Sequence, residues 1–162
     1  MSSFEFPEVD WFTTGTVGPQ GERVFYLQAR SGDTVISLKL EKQQVLAMAE
    51  YLTQLLADLP EVGATEWTNA PDLVEPIEPV WVVGAMGAAY EPDSDVVIVM
   101  AEEFKDEDDE SEASVATFRI RRAQTMAFVE RAHDLVEAGR PPCGWCGRPL
   151  DYGEDGFCVC WN

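Results

Sequence analysis

Two stretches of this sequence, eighty residues apart, carry the same hydrophobic pattern, and that echo constrains the fold more than any other feature. In the first, Val45, Met48, Ala49, Leu52, Leu55, Leu56 and Leu59 recur at i, i+3, i+4, i+7, i+10, i+11 and i+14. This is one apolar stripe at the 3.6-residue period of an amphipathic helix, and Pro60 stops it. A shift of eighty positions lays Ser37–Leu56 on Thr117–Val136 without a gap. Gln44 then meets Gln124, Ala47 meets Ala127, Glu50 meets Glu130 and Leu55 meets Leu135. Lys39 meets Arg119, Leu40 meets Ile120 and Met48 meets Phe128, so charge and apolar character stay in register. Matched faces of this kind read as an internal duplication.

The flanking segments repeat as well. Residues 11–17 form a first strand, followed by turn chemistry at Gly18-Pro19-Gln20-Gly21. Arg23 to Ala29 is rich in β-formers, and Ser31-Gly32-Asp33 turns it into Thr34–Leu40. In the second half, Val80 to Tyr90 makes a strand, Glu91-Pro92-Asp93-Ser94 a turn, and Asp95 to Ala101 a second strand. Ser114 to Ile120 is the third strand and Arg121 to Ala138 the helix. Between the halves, Pro60, Pro71, Pro76 and Pro79 forbid a long element, so 60–79 reads as an ordered crossover that Trp67 tacks onto the body.

All four cysteines lie in the last twenty residues, as Cys143-x-x-Cys146 and Cys158-x-Cys160 with eleven residues between the pairs. Pro-Cys-Gly-Trp-Cys-Gly (142–147) has the form of a metal knuckle, in which Gly147 permits the positive φ that aims backbone N–H groups at sulfur. Two such arms give a closed tetrahedral site of four thiolates, the arrangement of structural zinc. Cys158 and Cys160 sit too far apart on a regular strand to chelate, so a bend or bulge is required there. A redox Cys-x-x-Cys would open a helix, against which Gly144, Gly147 and Pro149 argue. Two disulfides would suit an exported chain, whereas Met1–Glu8 has neither a positive region nor an apolar one, which favours a cytoplasmic location.

The fold these signals predict is α+β. A βββα unit is used twice, over about 11–59 and 80–138, within a body spanning 1–140. The sheet is mainly antiparallel with both helices packed on one side, and 141–162 forms a zinc-knuckle-like tail.

Charge narrows the partners. Thirty acidic residues against eleven Lys and Arg leave a net charge of −19. Little counterion release could then drive binding to nucleic acid. No apolar run approaches the ~20 residues a membrane span needs. Residues 102–112 hold eight acidic side chains among eleven and read as a solvated loop, with a basic partner as the sharper alternative. Calcium is disfavoured, because the spacing lacks the central glycine of an EF-hand loop.

Further candidates carry weaker signals. His133 aligns with Thr53, beside the apolar stripe, and reads as a helix-rim residue or as a metal ligand in place of Cys158. Trp145, Tyr152, Phe157 and Trp161 would dock the knuckle on the body or anchor a partner. Gly84-x-x-Gly87 lacks the strand–GxGxxG–helix context of a dinucleotide site and reads as packing or bulge glycines. Arg119, Arg122 and Gln124, with Lys39, Lys42 and Gln44 as counterparts, could line an anion pocket between the repeats.

Four linked features also resemble an actinobacterial family of unknown function. They are Ser-Leu-Lys-Leu-Glu-Lys-Gln-Gln-Val (37–45), Trp-Val-Val-Gly (81–84), Ala-Gly-Arg-Pro-Pro-Cys (138–143) and Cys-Gly-Arg-Pro-Leu-Asp (146–151). The resemblance implies a tail of the form Cys-Pro-x-Cys-Gly followed by Gly-His-x-Cys-Pro. Here Gly144 follows Cys143, Cys158 falls where the family histidine would be, and Cys160 matches the last cysteine. Histidine and cysteine exchange readily as zinc ligands, so the resemblance strengthens the metal reading. It implies no activity. The expectation is a non-enzymatic, zinc-stabilised binding or adaptor protein whose acidic surface meets a basic protein. The alternatives are an enzyme or ligand-binding protein with an anion pocket between the repeats, and a thiol redox or metal-handling protein.

Overall fold

Period-2 alternation builds the sheet. Phe25, Leu27 and Ala29, then Ile36, Leu38 and Leu40, then Val97, Val99 and Ala101, then Ala116, Phe118 and Ile120 are all buried, with more exposed residues between most of them. The computed structural model describes residues 3–19, 21–60 and 68–138. In chain order these form β1 (Phe4–Phe6), β2 (Trp11–Val17), β3 (Val24–Ser31), β4 (Thr34–Leu40), α1 (Lys42–Ala57), β5 (Pro79–Glu91), β6 (Val96–Glu103), β7 (Val115–Arg121) and α2 (Arg122–Ala138). Among the described residues the fold is α+β, with two helices and one open seven-stranded sheet in the order β1-β7-β6-β5-β4-β3-β2.

Four of the ladders are antiparallel hairpin pairings: β2 with β3, β3 with β4, β5 with β6, and β6 with β7. Two are parallel, β4 with β5 and β1 with β7. The strands expected from sequence are present within a residue or two of their limits. Strand β1 was not expected. It pairs Phe4, Glu5 and Phe6 with Ala116, Thr117 and Phe118.

The sheet is curled, and its two ends meet through aromatic rings. Phe118 on β7 lies 5.5 Å from Phe6 on β1 and 5.3 Å from Phe12 on β2, between ring centroids. Phe12 in turn lies 4.8 Å from Phe128 on α2. Helix α1 buries Val45, Met48, Ala49 and Leu52, the first four members of its stripe. It packs on β5, α2 packs on β2, and the two helices pack on each other, so one continuous core runs through both halves of the chain.

The crossover is ordered where it is described, and a polar cluster on the face of the sheet opposite Phe12 fastens it. Thr13, Gln28 and Ser37 lie side by side in the register of β2, β3 and β4. The Gln28 amide donates to Ser37 Oγ at 2.9 Å and to the Val74 carbonyl at 2.9 Å, and its Oε1 accepts from the Val74 N–H at 2.8 Å. Thr13 Oγ1 donates to the Pro71 carbonyl at 2.5 Å. Leu73 fills the space above Gly15, where a Cβ would come within 2.5 Å of it. Trp67 lies outside the described residues.

Truncating the central ring tests whether the core is a single unit. Phe118→Ala removes a fully buried side chain that bridges both sheet ends, and a loss of roughly 3–5 kcal/mol is expected in one cooperative urea transition. Gln28→Ala should cost about 1–3 kcal/mol and open the 68–78 segment to proteolysis while the secondary structure is retained.

Candidate functional site

Among the described residues, two strand edges without a neighbouring strand are closed by the side chains of a helix. β2 is the last strand of the sheet, paired on one side with β3. The second part of β5 has the same exposure, because β4 pairs only with its first residues and β6 occupies the other side. A register irregularity between Val83 and Met86 marks the bend.

At the β5 edge, Gln44 Oε1 accepts from the Glu41 N–H at 2.7 Å, which caps the start of α1. The same amide donates to the carbonyls of Val83 at 3.0 Å and Gly84 at 2.8 Å. About two turns further along α1, Tyr51 Oη donates to the Ala88 carbonyl at 3.1 Å. At the β2 edge, Gln124 Oε1 accepts from the Arg121 N–H at 2.8 Å, and its amide donates to the carbonyls of Val9 at 2.7 Å and Asp10 at 3.3 Å. Arg131 Nε donates to the Thr14 carbonyl at 2.6 Å. Each donor on α2 stands eighty positions after its counterpart on α1, and each acceptor on β5 stands seventy-four after its counterpart near β2.

What covers the two edges differs. Thr68, Asn69 and Ala70 line a cavity of about 390 Å³ together with Ala127, Glu130, Arg131 and Asp134 of α2. Asp72 then pairs with Arg131 at 3.0 Å, and Leu73 sits on Gly15. The corresponding place between α1 and β5 is an open groove of about 480 Å³, lined by Gln44, Ala47, Met48, Tyr51, Gly84 and Met86–Ala88. Ala47 and Tyr51 are exposed there, and a Cβ on Gly87 would meet nothing within 4 Å. Gly84, by contrast, is a packing glycine: its Cβ would stand 3.0 Å from the Phe104 backbone.

The Arg and Gln set expected to surround an anion is divided among separate places. Arg119 pairs with Glu91 at 2.5 Å and donates to Ser94 Oγ at 3.1 Å. Arg122 donates to Asp95 at 2.8 Å, to Tyr90 Oη at 3.3 Å and to the Pro60 carbonyl at 2.9 Å, with its guanidinium 5.5 Å from the centre of the Tyr90 ring. Tyr90 Oη also donates to Asp95, a residue at φ 53 that ends the β5–β6 turn. The Tyr90 hydroxyl and then Arg122 hold the Asp95 carboxyl below the ordinary carboxylate range. Arg119 and Gln124 share a cavity of about 620 Å³ with Arg121, Glu8, Asp10 and Ser94, so its lining mixes both signs. Gln44 lines the other groove, and Lys39 and Lys42 line neither.

Asp106 to Glu110 are all exposed. Lys105 anchors the base of this loop to Glu103 at 3.4 Å and to Asp109 at 3.2 Å. Hydrogen bonds from Ser111, its hydroxyl before its N–H, followed by Lys105, draw the Asp109 carboxyl from 3.8 down to about 2. Among the described residues no group of three or more His, Cys, Asp and Glu side chains is arranged to hold a metal ion. His133 is exposed on α2. Cys143, Cys146, Cys158 and Cys160, and the aromatic side chains around them, lie outside the described residues. No helix among the described residues is long and apolar enough to cross a membrane.

A family model described as "Protein of unknown function (DUF3090)" matches residues 4–158, nearly the whole chain. The chain belongs to this DUF3090 family. No curated protein and no solved structure matches it. Membership therefore assigns the chain to a lineage and leaves its chemistry to be argued from its own residues.

The paired bonds of this DUF3090 protein make distinct demands on stability. Gln124 is 3% exposed and Gln44 only half-buried, so Gln124→Ala should cost about 1–3 kcal/mol and Gln44→Ala distinctly less. The Asp109 interactions are complete above pH 3.8 and are lost as pH falls through about 2, because its folded pKa is depressed. The Ser111 amide resonance should titrate near 2, and a midpoint near 4 would show the carboxyl unbonded.

Proposed function

We propose that this protein is a non-enzymatic, zinc-stabilised adaptor that presents an acidic surface to a basic protein partner in the cytoplasm. The observation that carries this reading is the acidic loop. Its base is fixed by Lys105, Glu103 and Asp109, so five consecutive acidic side chains are displayed from a defined place on the β6–β7 connection. A net charge of −19 accelerates encounter with a basic surface and makes the resulting complex weaken with salt. The engagement of Arg119 and Arg122 in bracing the β5–β6 turn supports the same reading over an anion pocket.

The body is a duplicated βββα unit in this reading. The Gln44–β5 and Gln124–β2 bonds, with Tyr51 and Arg131 in matching roles, support it at constant sequence offsets. Zinc belongs to the tail over 141–162, held by Cys143, Cys146, Cys158 and Cys160, four soft thiolates in two close pairs. A tail too small to bury its own core gains folding free energy from such an ion, of order 10 kcal/mol.

Elemental analysis of protein purified without added metal, alongside thiol titration, tests the zinc assignment. About one zinc per chain is expected, with thiols that react only after chelation and denaturation; four reactive thiols and no metal would remove it. Cys146→Ser should abolish zinc binding while the cooperative unfolding of the body persists. For the partner, capture that fades between low and moderate salt is expected, and salt-independent capture would overturn the electrostatic reading.

A further inference from the structure

We infer that the outer face of the β5–β6–β7 half of the sheet, around Met100 and Phe104, docks a basic amphipathic segment of the protein partner; this rests on the proposed adaptor reading and gives it a place. The pleat defines the face. Val97, Val99 and Ala101 turn inward to the core, so Ile98, Met100 and Glu102 turn outward. In the register of the sheet Met100 stands between Gly87 on β5 and Thr117 on β7, and Ile98 between Ala89 and Arg119. Phe104, one residue past β6, keeps the alternation, and its N–H donates to the carbonyl of Val82 at 2.7 Å. Val82 lies between the inward Trp81 and Val83 and so faces outward too. Met100 is 50% exposed, Phe104 56% and Val82 42%. Three large apolar side chains thus lie along one surface that is uncovered among the described residues, beside Gly87, where a Cβ would meet nothing within 4 Å.

The same face of the other half is held differently. Its row is Thr13, Gln28 and Ser37, and the Gln28 amide engages both the N–H and the carbonyl of Val74, as a neighbouring strand would. The row Gly87, Met100 and Thr117 has no side-chain amide with which to hold a backbone, so whatever docks there is held by apolar contact and by charge. The charge is concentrated at one end. Glu5 stands beside Thr117, Glu102 stands beside Val115, and Asp106–Glu110 follow shortly after Phe104, all of them exposed. The cations of this face are engaged or lie elsewhere. Lys105 is bound to Glu103 and Asp109, Arg119 pairs with Glu91 toward the other end of the strands, near Arg121, and Lys39 stands across from Val82 on β4. The complement is a segment that sets apolar side chains on Met100 and Phe104 and Lys or Arg over the loop end. A second copy of this chain has the same sign, since each carries a net charge of −19. The sequence after α2 is not basic either, with Arg140 and Arg148 against Asp151, Glu154 and Asp155.

The test reads the methyl resonances of the methionines in the full chain. With a soluble paramagnetic agent, the exposed Met100 and Met126 should broaden alike and the buried Met48 should not, at every protein concentration. Protection of Met100 in the free chain at all concentrations would show cover by the chain itself, and protection that grows with concentration would show a second copy; either overturns the inference. A peptide of alternating lysine and leucine is the partner probe, with a lysine–serine peptide of equal charge as its control. The lysine–leucine peptide should shift the Met100 signal and leave Met126 in place. Met100→Ser/Phe104→Ser, which alters two exposed side chains, should weaken that peptide about tenfold or more and leave the control unchanged. Equal affinity for the two peptides, or undiminished affinity in the double variant, overturns this docking face and leaves the acidic adaptor reading standing. Absence of salt-sensitive binding of either peptide overturns both.

Discussion

A carbonyl on a strand edge that lies against a helix has neither water nor a neighbouring strand to satisfy it, and leaving it unpaired costs free energy comparable to a lost hydrogen bond. The rest of this structure depends on how that constraint is met at two places. Gln44 and Gln124 each use one amide group twice, capping a helix with the oxygen and closing a strand edge with the nitrogen. A single side chain therefore fixes both where the helix begins and how it lies on the sheet. An apolar residue could pack in that position but could do neither. With the helices fixed, Phe12, Phe118 and Phe128 meet in one cluster and the two ends of the sheet are drawn together.

Electrostatics follows from the same economy of positive charge. Eleven cationic side chains serve a chain with thirty acids. Arg119, Arg122 and Arg131 are placed at joints: the β5–β6 turn, the exit of α1 and the strand edge of β2. Each neutralises a carboxylate whose repulsion would otherwise loosen that joint. Among the described residues most of the remaining acids face solvent, where they steer association without contributing to the fold. The family match leaves this division of labour as the strongest statement about what the surface is for.

Much of the fold was legible in the sequence because its signals are periodic. The stripe from Val45 to Leu52 and the alternation through Val97–Ala101 and Ala116–Ile120 determine element type and buried face together. The gapless alignment put Gln44 on Gln124, though nothing in a sequence reveals that both amides reach across to a strand. Strand β1 escaped because Phe-Glu-Phe before a proline is too short to establish a period, and its partner lies far along the chain. The two parallel pairings escaped for a related reason: local pattern specifies strands and turns, while long-range neighbours are chosen by the packed core. The division of the Arg/Gln set among separate places was not legible, because residue type and spacing cannot tell a cation facing a ligand from one facing Glu91 or Asp95. The cysteine tail lies outside the described residues, so its reading remains one of spacing and thiolate chemistry.

The pairing of β1 with β7 carries a consequence for how the molecule comes into being. Phe4 meets Ala116 across more than a hundred intervening residues. Closing a chain segment of that length carries an entropic cost that contacts can repay only afterwards, which slows folding. During synthesis the first strand emerges long before its neighbour, and the aromatic cluster that includes Phe6 waits for Phe118 and Phe128. Neither half can complete its core while the ribosome still holds the other. The nascent chain therefore carries an unfinished apolar surface until β7 and α2 have emerged, and the acidic residues that crowd this sequence would keep that intermediate from associating with its own copies.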